Sequence, residues 1–161
     1  MIIVSNTSPI TNLSAIGKIE LLKQLYGEII ISPDVFQELT QWGDSIPGAK
    51  EVKFYDWIKV KPINNTILVQ SLKEKLDVGE SSVIALASEL NADWLIIDEQ
   101  LGRQVAVEYN LKIIGILGIL IEAKRQGLIL TVKPILDDLR NIAKFWVSPS
   151  LYHRILSIVG E

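Results

Sequence analysis

The chain has 161 residues, 48% apolar and 22% charged, with a formal charge of −3, a single histidine and no cysteine. That apolar content excludes a disordered chain, and the length suits a single domain over residues 1–161 with a proper core. Without cysteine there are no disulfides or thiolate metal sites, and His153 alone cannot form a histidine zinc cluster.

Strand and helix signals alternate from the first residue. Residues 2–4 form a short apolar run that stops at Asn6-Thr7-Ser8-Pro9, a turn followed by helix-start residues. Ile10, Leu13, Ile16 and then Ile19, Leu22, Leu25 keep helical spacing, with Gly17 between two helices. Residues 28–31 read as a second buried strand. Ser32-Pro33-Asp34 then supplies an N-cap, a proline at the first helical position and an acid in the first turn. Residues 42–48 read as a loop and 57–60 as an edge strand. Helices follow at 67–76 and 79–90, a buried strand at 94–97, a helix at 101–109, a strand at 112–114 and a helix at 116–125. Residues 131–145 and 150–159 predict two amphipathic helices whose apolar faces complete the core or form a dimer surface. Short apolar strands separated by helices predict an α/β fold with a parallel sheet covered on both faces.

No apolar run reaches the roughly 20 residues a membrane span needs. Residues 111–121 are broken by Lys112, Gly115 and Gly118. The opening residues carry no basic region or cleavage pattern, so the expectation is a cytoplasmic protein. The negative charge argues against binding nucleic acid by bulk electrostatics and leaves room for a small site where a metal ion supplies the positive charge. Gly115-Ile116-Leu117-Gly118 lacks the lysine and spacing of a phosphate loop, which disfavours a nucleotide-binding module. The four tryptophans are scattered and read as packing or interface residues.

In an open parallel sheet, sites form outside the carboxyl ends of the strands. Asn6 follows the first strand, Asp98 and Glu99 follow the strand at 94–97, Glu38 lies on the helix after the second strand, and Glu80 opens the helix at 79–90. Oxygen donors without histidine or cysteine suit Mg²⁺ or Mn²⁺. Each residue also has a plainer reading. Asp77 and Glu80 have capping-box spacing, Asp98 can cap the next helix, Glu38 can be a solvated helix residue, and Asn6 can belong to a capped turn. Arg103 lies near the same crevice, for a phosphate or for a salt bridge to a neighbouring acid. His153 sits on the last amphipathic helix in a surface or packing role.

Five stretches resemble one family. They are Ile3-Val4-Ser5-Asn6-Thr7-Ser8-Pro9-Ile10 with Leu13-Ser14-Ala15-Ile16-Gly17, Ile31-Ser32-Pro33-Asp34-Val35-Phe36-Gln37-Glu38-Leu39, and Leu76-Asp77-Val78-Gly79-Glu80 running into Val83-Ile84-Ala85-Leu86-Ala87. The others are Ile96-Ile97-Asp98-Glu99 with Gly102-Arg103, and residues 115–120 with Ala123-Lys124 and Gly127-Leu128-Ile129. In order and spacing they resemble the PIN-domain superfamily in its DUF3368-type branch. The resemblance implies a three-layer α/β/α sandwich around a central parallel sheet, here with extra C-terminal helices. It implies an acidic crevice for Mg²⁺ or Mn²⁺, ribonuclease activity, a homodimer, and the role of a toxin silenced by a small antitoxin protein. Its four acidic positions fall on Asn6, Glu38, Glu80 and Asp98, with Glu99 and Asp77 adjacent and Ser8 as a supporting polar residue. Asn6 departs from the aspartate usual in PIN nucleases: its carbonyl oxygen can coordinate, but it brings no charge. The alternative expectation is therefore a catalytically weakened PIN-fold protein that binds a partner or regulates.

Overall fold

The chain, described over all 161 residues by a computed structural model, runs as repeated strand-then-helix units. Strand β1 (Ile3–Ser5) leads into α1 (Thr7–Ala15) and α2 (Glu20–Tyr26), and β2 (Ile29–Ile31) into α3 (Pro33–Thr40) and α4 (Ala49–Phe54). Strand β3 (Ile58–Val60) is followed by α5 (Thr66–Leu72) and α6 (Val78–Glu89), and β4 (Trp94–Ile96) by α7 (Gln100–Glu108). Strand β5 (Ile113–Ile114) precedes α8 (Ile116–Arg125), α9 (Lys133–Asn141) and α10 (Pro149–Ile158).

The five strands form one parallel sheet in the order β3-β2-β1-β4-β5, flanked by helices as an α/β/α sandwich. Every residue of β1 and β2 is buried, as expected of parallel strands covered on both faces. At the sheet edge, β3 buries only its first residue. From β1 the chain builds outward through β2 and β3, then returns to place β4 on the other side of β1. That reversal opens a crevice beyond the carboxyl ends of β1 and β4, the position where α/β sheets hold their ligands.

The helix signals were accurate where caps were present. Ser32 caps α3 by accepting from the Val35 amide at 3.1 Å, with Pro33 beginning the helix. Helix α4 was not foreseen after the loop at 42–48, because only Ala49 and Val52 of its six residues are buried and so short a stretch shows no periodicity. The helix expected over 131–145 is shorter. Pro134 stands in its first turn, and Lys144, at φ 59°, is left-handed backbone that no helix continues through. Both C-terminal helices mainly complete the core: Ile135, Leu139 and Ile155 are buried, whereas Ile142 and Ile158 stay exposed. The Glu161 carboxylate closes this end of the molecule by accepting from the Val132 and Lys133 amides at the start of α9 and from Lys124.

A buried polar link joins α3 to α6. Ser82 on α6 donates to the Gly79 carbonyl at 2.7 Å, and the Ser32 and Ser82 hydroxyls are 2.7 Å apart. Since the Ser82 proton is used on Gly79, the Ser32 hydroxyl donates to Ser82 while accepting from Val35. A continuous chain of hydrogen bonds thus ties the start of α3 to the first turn of α6. Ser32→Ala removes the cap and leaves Ser82 short of a partner in a fully buried place, so unfolding in urea should show a loss of about 1–3 kcal/mol. The Ser32→Ala/Ser82→Ala pair should be less destabilised than the sum of the single variants. Additive effects would mean that the two hydroxyls do not act together.

Candidate active site

Asn6 directly follows β1 with its amide donating to the Ile96 carbonyl at 2.9 Å, so its position is set by the β1–β4 pairing. It occupies the N-cap position of α1 but its side chain makes no capping hydrogen bond, and the residue is only 4% exposed. The plain reading of Asn6 as a helix cap therefore fails, and its amide group is free to serve a pocket of about 350 Å³. That pocket is lined by Asn6, Glu38, Asp77, Glu80 and Glu99, together with a polar stripe of α1 containing Thr7, Ser8, Thr11 and Asn12. No apolar residue, lysine or arginine lines it.

Each acid is held by a different device. Glu38 accepts a hydrogen bond at 2.5 Å from the Thr7 hydroxyl and lies against the first turn of α6, where a Cβ on Gly79 would collide with its carboxylate. Glycine at this position is what lets α6 approach Glu38. Asp77 and Glu80 do form the capping box: the Glu80 amide donates to Asp77 at 2.8 Å, and the Asp77 amide donates to Glu80 at 3.4 Å. Capping and pocket lining are not exclusive here, because Glu80 caps α6 while sitting 9% exposed in the pocket wall. Glu99 starts α7 without a side-chain cap and faces the same space. Ser8 is half-buried, and its hydroxyl oxygen is buried with no partner.

The electrostatics follow from this crowding. Burial pushes the Glu38 carboxyl above the usual carboxylate range, with Asp77 and Asp34 adding to the push, while Thr7 and the Gly79 backbone pull it down. Burial also raises Glu80, reinforced by Asp77, Glu99 and Glu38 against the pull of the Asp77 backbone. Negative charge is thus concentrated without a cationic side chain to balance it.

Asp98 lies apart from this group. Its Oδ1 accepts from the Ile116 amide at 3.0 Å, so it caps the first turn of α8 rather than the helix that follows it in sequence. Its Oδ2 is buried and has no partner, and the residue lines the neighbouring cleft rather than the acidic pocket. Arg103 donates to the Ile97 carbonyl at 2.8 Å and makes no ion pair within 4.0 Å, so the salt bridge considered from sequence is not formed. His153 is exposed on α10 and lines neither site, as its sequence position suggested.

Asn6, Glu38, Glu80 and Glu99 are therefore brought together with Ser8 and Asp77, while Asp98 and Arg103 are directed to the next cleft. Thr7, Thr11 and Asn12 were missed in the sequence reading. The signal was available in the paired i, i+4 spacings Thr7–Thr11 and Ser8–Asn12, which put four polar side chains on one side of α1. No three acidic or histidine side chains stand together as a ready-made cation site. The donor set is nonetheless oxygen-only, part-buried and unbalanced in charge, which fits a hard cation that keeps several of its waters and takes one or two carboxylates from the protein.

A parallel α/β/α sandwich with an acidic pocket at its strand reversal is a nuclease-type architecture. The chain matches the family DUF3368, described as a PIN domain, over residues 2–161, and it belongs to that family. PIN domains generally use divalent metals and bind RNA. No curated protein matches the chain significantly. No helix is long and apolar enough to cross a membrane.

Burial raises the Asp98 carboxyl from 3.8 to about 6, against the pull of the Ile116 amide and of Arg103. Between those two values the folded chain keeps a proton that the unfolded chain has released, so stability falls as pH rises from about 4 to about 6. Asp98→Asn keeps an acceptor for Ile116 and removes the charge. Urea unfolding in EDTA should show wild type losing about 1–3 kcal/mol relative to Asp98→Asn across that window. Parallel pH profiles for the two proteins would contradict the burial of a charged Asp98.

Proposed function

We propose that this protein is a metal-dependent ribonuclease that hydrolyses phosphodiester bonds in RNA, acting as the toxin of a toxin–antitoxin pair. The observation that carries the reading is the pocket of four carboxylates at the β1–β4 reversal with no cationic side chain in its wall. Such a pocket repels an RNA phosphate unless a cation intervenes. Mg²⁺ or Mn²⁺, when bound, supplies that charge and lowers the pKa of a coordinated water.

Glu38 and Glu80 are the residues proposed to hold the cation, with Asn6 and Glu99 as further oxygen donors. Thr7 keeps one oxygen of Glu38 occupied, which fixes how the carboxylate is presented. The capping box does the same for Glu80 through the Asp77 amide. Ser8 lines the pocket, and its buried hydroxyl is without a partner. Asp98, placed by its bond to Ile116, acts in support: it holds α8 and β5 next to the site. Arg103 anchors the Ile97 carbonyl between β4 and α7. A homodimer in the cytoplasm, held inactive by a small antitoxin protein, completes the proposal. The exposed Ile142 and Ile158 are apolar surface that such partners would cover.

A second reading is favoured by one residue. Asn6 replaces a charged ligand with a neutral one, and together with the lack of a ready-made ligand shell it supports a weakened member of the family that binds a partner instead of cutting RNA.

Cleavage of several single-stranded RNAs in Mn²⁺, Mg²⁺ and EDTA separates the two. The enzyme reading expects cleavage only with metal, a loss of about 100-fold or more in Glu38→Gln and Glu80→Gln, and a gain in Asn6→Asp. Cleavage that persists in EDTA or in both glutamine variants would point to another nuclease. If the protein cuts no RNA even with Asn6→Asp, the partner-binding reading takes its place.

A further inference from the structure

Beside the acidic pocket, over the carboxyl end of β5, lies a second cleft of about 630 Å³ between the start of α8, α10 and the loop that joins α9 to α10. Its character is opposite to that of the pocket. Leu117 and Ile155 wall it, Phe145 and Trp146 stand along it, and its polar groups gather at one end, where Asp98, Gln100 and Arg103 lie. Its two charged side chains, one of each sign, balance formally. The two spaces are joined through three consecutive residues: Glu99 lines the acidic pocket while Asp98 and Gln100 line the cleft.

Trp146 is the unusual feature. It is 80% exposed, although burying an indole is among the most favourable things a fold can do with a side chain. Of the four tryptophans, Trp57 is buried in the core and Trp94 lies in the sheet, whereas Trp42 and Trp146, 74% and 80% exposed, do no packing within the chain, and of these two Trp146 lines the cleft. The cleft holds one cationic side chain, Arg103, which already donates to the Ile97 carbonyl, so it is not built around a phosphate. It does suit a flat ring that stacks on an aromatic face and presents donors and acceptors along one edge. Unpaired RNA bases are recognised in that way, by stacking on aromatic side chains and hydrogen bonding along their edges.

We propose that this cleft is a subsite for one unpaired nucleobase of an RNA strand whose neighbouring phosphate lies at the acidic pocket, with Trp146 stacking on the base and Gln100 and Arg103 reading its edge. The inference rests on the ribonuclease reading for the direction of the strand, but base binding itself needs neither metal nor cleavage. The Asp98 Oδ2, buried at the polar end without a partner, is an acceptor that a base amino group can satisfy once the carboxylate turns. Because the slot admits a base only after it leaves its helix, the subsite selects single-stranded over duplex RNA.

The test is a fluorescence titration of the full chain with a short single-stranded oligoribonucleotide in EDTA, repeated with an abasic strand of the same length and with duplex RNA. Trp146→Leu should weaken binding of the single strand about tenfold, Trp146→Phe should retain most of it, and Gln100→Ala should flatten preferences among the four bases. The abasic strand should bind wild type no better than the single strand binds Trp146→Leu. In Mn²⁺, Trp146→Leu should raise KM far more than it lowers kcat. Unchanged affinity in Trp146→Leu, or equal binding of the abasic strand, overturns the subsite even if cleavage is robust. Trp146-dependent base binding without any cleavage upholds the subsite and removes the nuclease reading. A change of oligomeric state in Trp146→Leu, with RNA binding intact, overturns it in favour of an interface between copies of the chain.

Discussion

The chain of hydrogen bonds from Val35 through Ser32 and Ser82 to the Gly79 carbonyl holds the N-termini of α3 and α6 together although the two helices carry Glu38 and Glu80 toward the same space. The hydroxyl chain fastens helices whose acids repel, Glu38 and Asp77 both adding to the rise of the Glu80 carboxyl. The fastening is made of short, buried, neutral hydroxyls, which add no charge of their own and leave the pocket unbalanced. Thr7 from α1 and the missing side chain at Gly79 complete the arrangement, letting Glu38 rest against the start of α6. Burying these carboxylates, with other acids beside them, costs stability in the absence of a cation, as the raised Glu38 and Glu80 carboxyls indicate.

The strand reversal at β1 decides which residues can share the pocket. Asn6 directly follows β1 and Glu99 lies shortly beyond β4, and these two strands are neighbours in the sheet. Successive residues past a strand end point different ways, so Glu99 enters the acidic pocket while Asp98 turns to α8. Glycine at 115 permits this, since a Cβ there would strike the Asp98 carboxylate. The acidic pocket and the apolar cleft are thus two products of one short segment, residues 98–100, placed between β4 and α7.

Much of the fold was legible because the strands are short, wholly apolar and bounded by strong punctuation. Ser32-Pro33-Asp34 marked the start of α3 to the residue, and the Asp77–Glu80 spacing marked α6. Helix α4 was invisible because two buried positions carry no period. The site was legible as a set of strand-end acids but not as a shape. Sequence treated capping and pocket lining as rival roles for Glu80, whereas one carboxylate does both in space. It grouped Asp98 with the other acids, and only three-dimensional packing shows that the Ile116 amide, 18 residues on, takes one oxygen of that carboxylate. The exposure of Trp146 was likewise beyond reach, because it depends on where a loop between two late helices comes to lie.

The central claim is that Glu38 and Glu80 form a cation site whose unbalanced charge is the reason for the surrounding architecture. Calorimetric titration of the metal-free protein with Mn²⁺ at pH 8, set against the Glu38→Gln/Glu80→Gln double variant, tests it most directly. The account predicts saturable binding to wild type with a rise in Tm, weaker binding at pH 5 where protons compete, and no binding to the variant. Equal binding by both proteins, or none by wild type, would contradict it.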